Sequence, residues 1–275
     1  MLIKTRELGF FLLRFLLGAV LLFCLPIVSA IRVPVKHIEG VSHGFIVLHA
    51  QDGRALATGD MIQTVEGERV TNEVALHFKD GSVHDEVTVF SQNHEFRLIS
   101  DHLKQYGPSF PDPLDVYIDV GSGNVTVHSE KNGKAKDKEN HLDMPDDVAT
   151  GLTPTLLKNI DPTAPETTIS EVTTSEKPRV VKLKIHAEGE RQFWTDGRIR
   201  KAVHYVVHVD IGGVTGTVAK VIGKQPPDNH IWIFGGKAPT FVRFEGPLYE
   251  SGPIWDIELA NMRWGRPIRP KTKEQ

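Results

Sequence analysis

The stretch "HVDIGGVTGTVAKVIGKQPPD", His208–Asp228, sets four glycines directly behind a run of alternating apolar residues. Glycines behind a strand can cradle a phosphate, and a dinucleotide loop needs G-x-G-x-x-G between a strand and a long helix. Here Gly212, Gly213 and Gly216 are spaced G-G-x-x-G, and "TVAKVIG" is β-branched and short before Gly223 and Pro226. A Walker loop needs Gly-Lys-Ser/Thr, yet Gly223-Lys224 is followed by Gln225. The stretch reads as a tight turn at "IGGV" and a bend at Gly216 inside a β-meander. That excludes a nucleotide-binding α/β fold.

Outward from it the dominant period is two. Val74, Leu76 and Phe78 share a face, as do Val181, Leu183 and Ile185. Val203, Tyr205, Val207 and Val209 alternate with His204, Val206, His208 and Asp210, and Trp255, Ile257 and Leu259 alternate with Asp256 and Glu258. Successive strand side chains point to opposite faces, so these are strands with one buried and one wetter surface. "KDGS" (Lys79–Ser82), "GSGN" (Gly121–Asn124), "KNGK" (Lys131–Lys134) and "TDGR" (Thr195–Arg198) fall between such runs and suit hairpin turns. The fold class is mainly β: an antiparallel meander of roughly a dozen strands. It forms a curved sheet or open half-barrel with one short helix on its concave face.

That helix is expected within "MPDDVATGLTPTLLKNI" (Met144–Ile160), where Val148, Leu152, Leu156 and Ile160 recur along one face. Pro145 and two acids open it favourably, while Gly151 and Pro154 shorten or kink it. A second helical turn is expected around "SDHLKQYG" (Ser100–Gly107). "TTISEV" (Thr167–Val172), inside a Pro- and Thr-rich stretch, reads as an edge strand rather than a linker between domains.

Residues 1–30 are set apart. Lys4 and Arg6 precede the apolar run "FLLGAVLLFCLPIV" (Phe15–Val28), and "VSA" supplies small residues before a cleavage point. The run is shorter than the roughly 20 residues of a transmembrane helix. We read 1–30 as a signal peptide, with an uncleaved N-terminal anchor as the alternative. Residues 31–266 are one β-rich domain and 267–275 a flexible basic tail. The expected location is periplasmic or extracellular, membrane-tethered if the segment is uncut. No integral membrane domain is expected beyond it. Cys24, the single cysteine, lies inside it, so disulfides, Cys-zinc sites and Cys nucleophiles are excluded from the mature chain. With a net charge of −3 and no basic block apart from the tail, nucleic acid is not an expected partner.

Candidate sites follow from "NHIWIFGGKAPTFVRFEGPLYESGPIWDIEL" (Asn229–Leu259). Trp232 and Phe234 share one face of a strand whose other face carries Ile231 and Ile233. Such a strand either sits deep in a sandwich or lines an apolar cavity in a curved sheet. The cavity reading names Trp232, Phe234, Trp255, Leu152 and Leu156 as ligand-binding residues for a lipid-like or other apolar small molecule. An envelope protein segment is the other partner class, and "TTISEV" offers an exposed edge for one.

An exported β-meander with one interrupting helix and a "WIFGGKAPTFVRFE" run resembles uncharacterised periplasmic domain-of-unknown-function proteins. More remotely its plan is similar to the half-barrel of lipoprotein-localisation carriers, where a Trp-bearing strand is followed by a Pro and a returning strand, here Trp232, Pro239 and Val242. The resemblance implies a curved sheet around a helix, with an apolar hollow able to hold lipid-like chains. The absence of a lipobox and the longer N-terminal portion depart from that pattern.

Metal and catalytic chemistry were weighed against it. His204 and His208 at i,i+4 spacing lie about 13 Å apart on a strand, too far to share one ion. His77, His84 and Asp85 flank the Asp80-Gly81 turn and are the candidates for a metal or acid–base site, the basis of an alternative as an envelope hydrolase or metal-dependent enzyme. His94, Glu95, Asp101 and His102 form a similar set. For both, a polar strand face with cross-strand pairs is the reading adopted. No G-x-S-x-G elbow is present. An enzyme is not expected, nor a cofactor.

Overall fold

The computed structural model describes residues 32–131, 133–212, 225–260 and 262–264, which belong to one compact unit. The signal or anchor at 1–30, the turn and bend at Gly213–Gly216 and the tail at 267–275 lie outside the described residues.

The strands are β1 (Ser42–Ala50), β2 (Ala55–Glu66), β3 (Arg69–Phe78), β4 (Val83–Asn93) and β5 (Glu95–Tyr106). They continue with β6 (Leu114–Asp119), β7 (Asn124–Lys131), β8 (Lys134–His141), β9 (Thr167–Val172) and β10 (Val180–Thr195). The last are β11 (Arg198–Asp210), β12 (Asn229–Phe234), β13 (Thr240–Gly246), β14 (Trp255–Leu259) and β15 (Arg263–Trp264). The one helix described, α1, spans Thr153–Leu157. All fifteen strands join one open antiparallel sheet in the order β15-β10-β11-β12-β13-β14-β1-β2-β3-β4-β5-β6-β7-β8, with β9 also on β10.

The period-two runs all fall in strands. β11 and β12 are antiparallel neighbours, Val203 opposite Ile233 and Tyr205 opposite Ile231. The glycine stretch between them therefore joins two antiparallel strands, which a dinucleotide unit's parallel crossover would not do. At the "TDGR" turn Asp196 and Gly197 have φ +50° and +70°. Both values are positive, as a type I′ hairpin requires.

Two sequence expectations are corrected. Ser100–Gly107 is no helical turn; most of it lies in β5, where Asp101, Leu103 and Gln105 point inward and His102, Lys104 and Tyr106 outward. Polar residues at two inward positions hide the alternation. Only the second half of Met144–Ile160 is helical. Upstream, Val148 bridges Ser170 of β9 in parallel, with Ala149 N–H donating to the Ser170 carbonyl at 2.8 Å. The "TTISEV" strand thus pairs with β10 on one side and is covered by this segment on the other.

The sheet rolls around this plug. Leu152, Leu156 and Leu157 pack in one core with Val116, Ile118, Val125 and Val127 from one end of the sheet and Ile169, Leu183, Ile185 and Ile231 from the other. Among the described residues no strand pairing joins the two ends; Lys138 Nζ of β8 donates to the backbone carbonyl of Glu176, in the segment between β9 and β10, at 3.2 Å.

The β10–β14 arm bends a second time, away from this core. β15 pairs with β10, Phe193 opposite Trp264, only four residues beyond the end of β14. In a flat sheet β15 would stand five strand spacings from β14, about 24 Å. Four residues of chain reach at most about 14 Å. The arm must curl, and β10 has a bulge for it between Ala187 and Glu190, where Gly189 takes φ +93°. The curl encloses a cluster of Phe193, Ala202, Trp232 and Val242, with Phe234, Leu259 and Met262 against it.

Residues 32–41 strap this body together. Asn159 Oδ1 accepts from the backbone N–H of Lys36 at 2.9 Å and of His37 at 2.8 Å, and its amide donates to the Thr155 carbonyl. Glu39 is held by Lys158 Nζ at 2.7 Å and Gln63 Nε2 at 3.0 Å. Losing one partner of a buried hydrogen bond costs about 1–3 kcal/mol per orphaned group. Asn159→Ala is therefore expected to destabilise the fold by about 2–3 kcal/mol in urea unfolding. A loss below about 0.5 kcal/mol would show that the strap does not hold the plug.

Candidate functional site

The structure distributes the five apolar candidates over three clusters. Leu152 and Leu156 lie in the main core, 1 % and 4 % exposed. Trp255 belongs to a second cluster, with Phe78, Phe110 and Tyr249 around it. Trp232 and Phe234 are brought together in the third. Trp232 stacks parallel on His204, ring centroids 4.5 Å apart, and the Arg243 guanidinium lies 4.9 Å over its ring. Phe234 meets Phe193 edge to face at 5.9 Å.

His77, His84 and Asp85 do not converge. His84 pairs with Leu76 on the buried face, whereas His77, opposite Val83, is exposed, and Asp85 points to His77's side of the sheet. Gln105 Nε2 donates to His84 Nδ1 at 2.9 Å and to the Leu248 carbonyl at 2.7 Å. Burial pushes His84 down to about 4, so it is a neutral imidazole at pH 7. Among the described residues no group of three His, Cys, Asp or Glu side chains is placed to hold a metal ion. His204 lies beside His230 instead, Nε2 to Nδ1 3.0 Å. Burial, with His230 adding to it, pushes His204 down to about 4.

A set that the sequence reading did not assemble sits inside the roll: Glu86 and Asp101 from β4 and β5, and Glu171 from β9. Asp101 is 0 % exposed. Its Oδ1 accepts from Thr88 Oγ1 at 2.8 Å, while Oδ2 has no hydrogen-bond partner among the described residues. Glu86 and Glu171 are half-buried and lie close to Asp101 among packed side chains. None of the three makes an ion pair among the described residues. Uncompensated carboxylates in such surroundings are costly, and the usual outcome is that they hold their protons. Burial raises Glu86, with the Asp101 charge adding to it, and raises Asp101. Glu171 is pushed up to about 7 by burial and then by Glu86. All three carboxyls of this cluster therefore take up protons at higher pH than an exposed carboxyl does.

Gly151 packs against it. A Cβ there would stand 2.2 Å from Thr88 Oγ1 and 2.4 Å from Asp101 Oδ1, and its φ is +69°. Only glycine allows the plug backbone so close. Sequence reasoning had placed Asp101 in a polar set with His94, Glu95 and His102. It missed Glu86 and Glu171 because their strands also carry apolar residues on the opposite face, which leaves the inward parity ambiguous.

An open groove lies elsewhere, at the distal end of the β10–β11 hairpin. A groove of about 550 Å³ is lined by Glu190, Gln192, Ile199, Arg200, Lys201, Val203, Phe234, Gly235 and Gly236. Its apolar surface comes from Ile199, Val203 and Phe234. Arg200 lies 5.9 Å over the Phe234 ring, and Lys201 pairs with Glu190 at 2.9 Å.

No family model matches the chain, and no curated protein matches it. Among solved structures, the chain is similar to a crystal structure described as a β-barrel-like protein of domain of unknown function DUF1849 from Brucella abortus. The identity is 12 %, with 83 % of this chain and 100 % of that one covered at a TM-score of 0.41.

The three buried carboxyls fix the sign of the pH response. A carboxyl raised in the folded state gives stability that is whole below the ordinary carboxylate range and lost as pH rises through its folded value. His84 and His204, lowered in the folded state, give stability that is present above about 6.5 and lost towards pH 4. The two trends oppose each other between those limits, and above about pH 6.5 the buried acids dominate, since the other group raised in that range, His128 beside Asp137, is exposed. The melting temperature is expected to fall by at least about 3 °C from pH 6.5 to 8.5. Asp101→Asn with Glu171→Gln should flatten that slope, and an unchanged slope would contradict the assignment. Gly151→Ala should cost at least about 2 kcal/mol in chemical unfolding, since it adds left-handed strain to a clash.

Proposed function

We propose that the chain is an exported, non-catalytic binding protein whose ligand is an amphiphile with an apolar chain, seated in the groove beside Phe234. The observation that carries this reading is the groove itself. Its size falls within the roughly 300–1,000 Å³ of small-molecule sites, and it joins an apolar surface to a cationic rim. The core around α1 is packed by the protein's own leucines and valines, so the apolar ligand belongs in the groove. Arg200 and Lys201 suit a carboxylate or phosphate head, with Arg able to bind it in two-pronged fashion. Export rests on the n-region, apolar core and small-residue pattern of residues 1–30. The half-barrel plan similar to lipoprotein-localisation carriers agrees with handling of lipid-like chains. His77, His84 and Asp85, on which the hydrolase or metal-enzyme alternative rests, do not converge on one face of the sheet.

The test is titration with a fluorescent long-chain fatty acid. Saturable binding with one ligand per chain is expected. Val203→Asp should raise Kd by at least about tenfold and Arg200→Glu by about fivefold, with melting temperature as the control for folding. Non-saturable uptake, or equal Kd in folded variants, would overturn the reading.

A further inference from the structure

We propose that the tip of the β10–β11 hairpin docks on an anionic lipid surface, with Trp194 and Ile199 entering the interface and Arg191 and Arg198 meeting the head groups. This goes beyond the groove reading and stands without it, because it rests on the exposed tip alone.

The hairpin register places Trp194 directly opposite Ile199, one residue either side of the Thr195–Arg198 turn segment's ends, so their side chains share one face. Both stay in water, 48 % and 52 % exposed, whereas Phe193 next to Trp194 is fully buried in the cluster under the curl. A large apolar pair at a hairpin tip gains from leaving water. Trp is the side chain that best suits a membrane–water boundary, with an apolar body and one N–H donor.

Charge selects the kind of surface. The segment Glu190–Lys201 carries Arg191, Arg198, Arg200 and Lys201 against Glu190 and Asp196, within a chain whose net charge is −3. Lys201 is engaged by Glu190, and Arg200 covers Phe234. Arg191 and Arg198 are exposed on the hairpin's other face, flanking the Trp194–Ile199 pair across the tip, and make no ion pair among the described residues. A cationic tip on an acidic protein orients it towards a negative surface, and each basic residue near such a surface strengthens binding. The curl matters too: β15 pairs with β10 at Phe193 and Trp194, the last residues before the turn, so it holds the tip itself in place. Trp194, Ile199 and Lys201 lie on one face of the hairpin, and that face leads into the groove lined by Ile199, Lys201 and Val203. A docked tip would set the groove's mouth against the lipid.

The test uses the full chain with vesicles of phosphatidylcholine alone or mixed with phosphatidylglycerol, each also prepared with brominated acyl chains as tryptophan quenchers. Residues 1–30 contain no tryptophan, so quenching does not report on that segment. Brominated anionic vesicles should quench the wild-type chain, and Trp194→Phe should lose most of the quenching. Arg191→Glu with Arg198→Glu, and separately Trp194→Ser with Ile199→Ser, should weaken the interaction by at least about tenfold. About 0.5 M salt should weaken it as well. Fatty-acid binding in the groove should persist in the arginine variant, which separates failure of docking from failure of the groove. Equal quenching in Trp194→Phe, no quenching by anionic vesicles, or equal quenching by neutral ones would each overturn the proposal.

Discussion

A strand that is apolar on both faces must be covered twice. In β12, Ile231 and Ile233 turn one way and Trp232 the other, and all three are buried. One covering is the roll of the whole sheet around α1 and the segment before it. The other is the curl of the β10–β14 arm, which closes over Trp232, Phe193 and Val242. Neither a flat sheet nor a single roll would keep both sides dry. The bulge at Glu188–Gly189, the pairing of β15 with β10 and the projecting hairpin tip are the consequences of that double demand.

The inward surface is not uniformly apolar, and its polar positions divide into two kinds. Glu39, Gln63, Gln92 and Asn159 form a satisfied network that fastens the N-terminal strap to the plug. Glu86, Asp101 and Glu171 are different, because none of them makes an ion pair among the described residues and Asp101 Oδ2 has no hydrogen-bond partner among them. A fold of this size tolerates such a cluster only with its protons on, and so couples the stability of the plug to pH. Gly151 shows how closely the two are fitted, since one methyl group there would meet both Thr88 and Asp101.

Much of the architecture was legible because alternation and turn chemistry are local signals. "VVKLKIH", "AVHYVVHVD", the Asp-Gly turns and the "TTISEV" strand all needed only neighbours in sequence. Ser100–Gly107 was misread because Asp101 and Gln105 occupy inward positions, and a pattern of apolar residues cannot show a polar side chain turned to the core. Half of Met144–Ile160 was misread as helix because Val148 sits on β9, a partner the local sequence does not contain. The site was less legible still. Trp255 owes its surroundings to Phe78, Phe110 and Tyr249, far away in the chain, and Trp232 is parted from Leu152 by the thickness of the sheet. Which face of a doubly apolar strand looks inward is a tertiary fact.

The curl of the arm is tested most directly by a cross-link. In a Cys24→Ser background, Trp194→Cys with Arg263→Cys places two thiols on residues that face each other across β10 and β15. Antiparallel partners have Cα atoms about 5 Å apart, inside the roughly 7 Å limit for a disulfide. Mild oxidation should give an intramolecular bond in nearly every folded chain, seen as a loss of both free thiols without dimer. An arm that stays flat would hold the two positions apart, and persistent free thiols in the folded monomer would contradict the account.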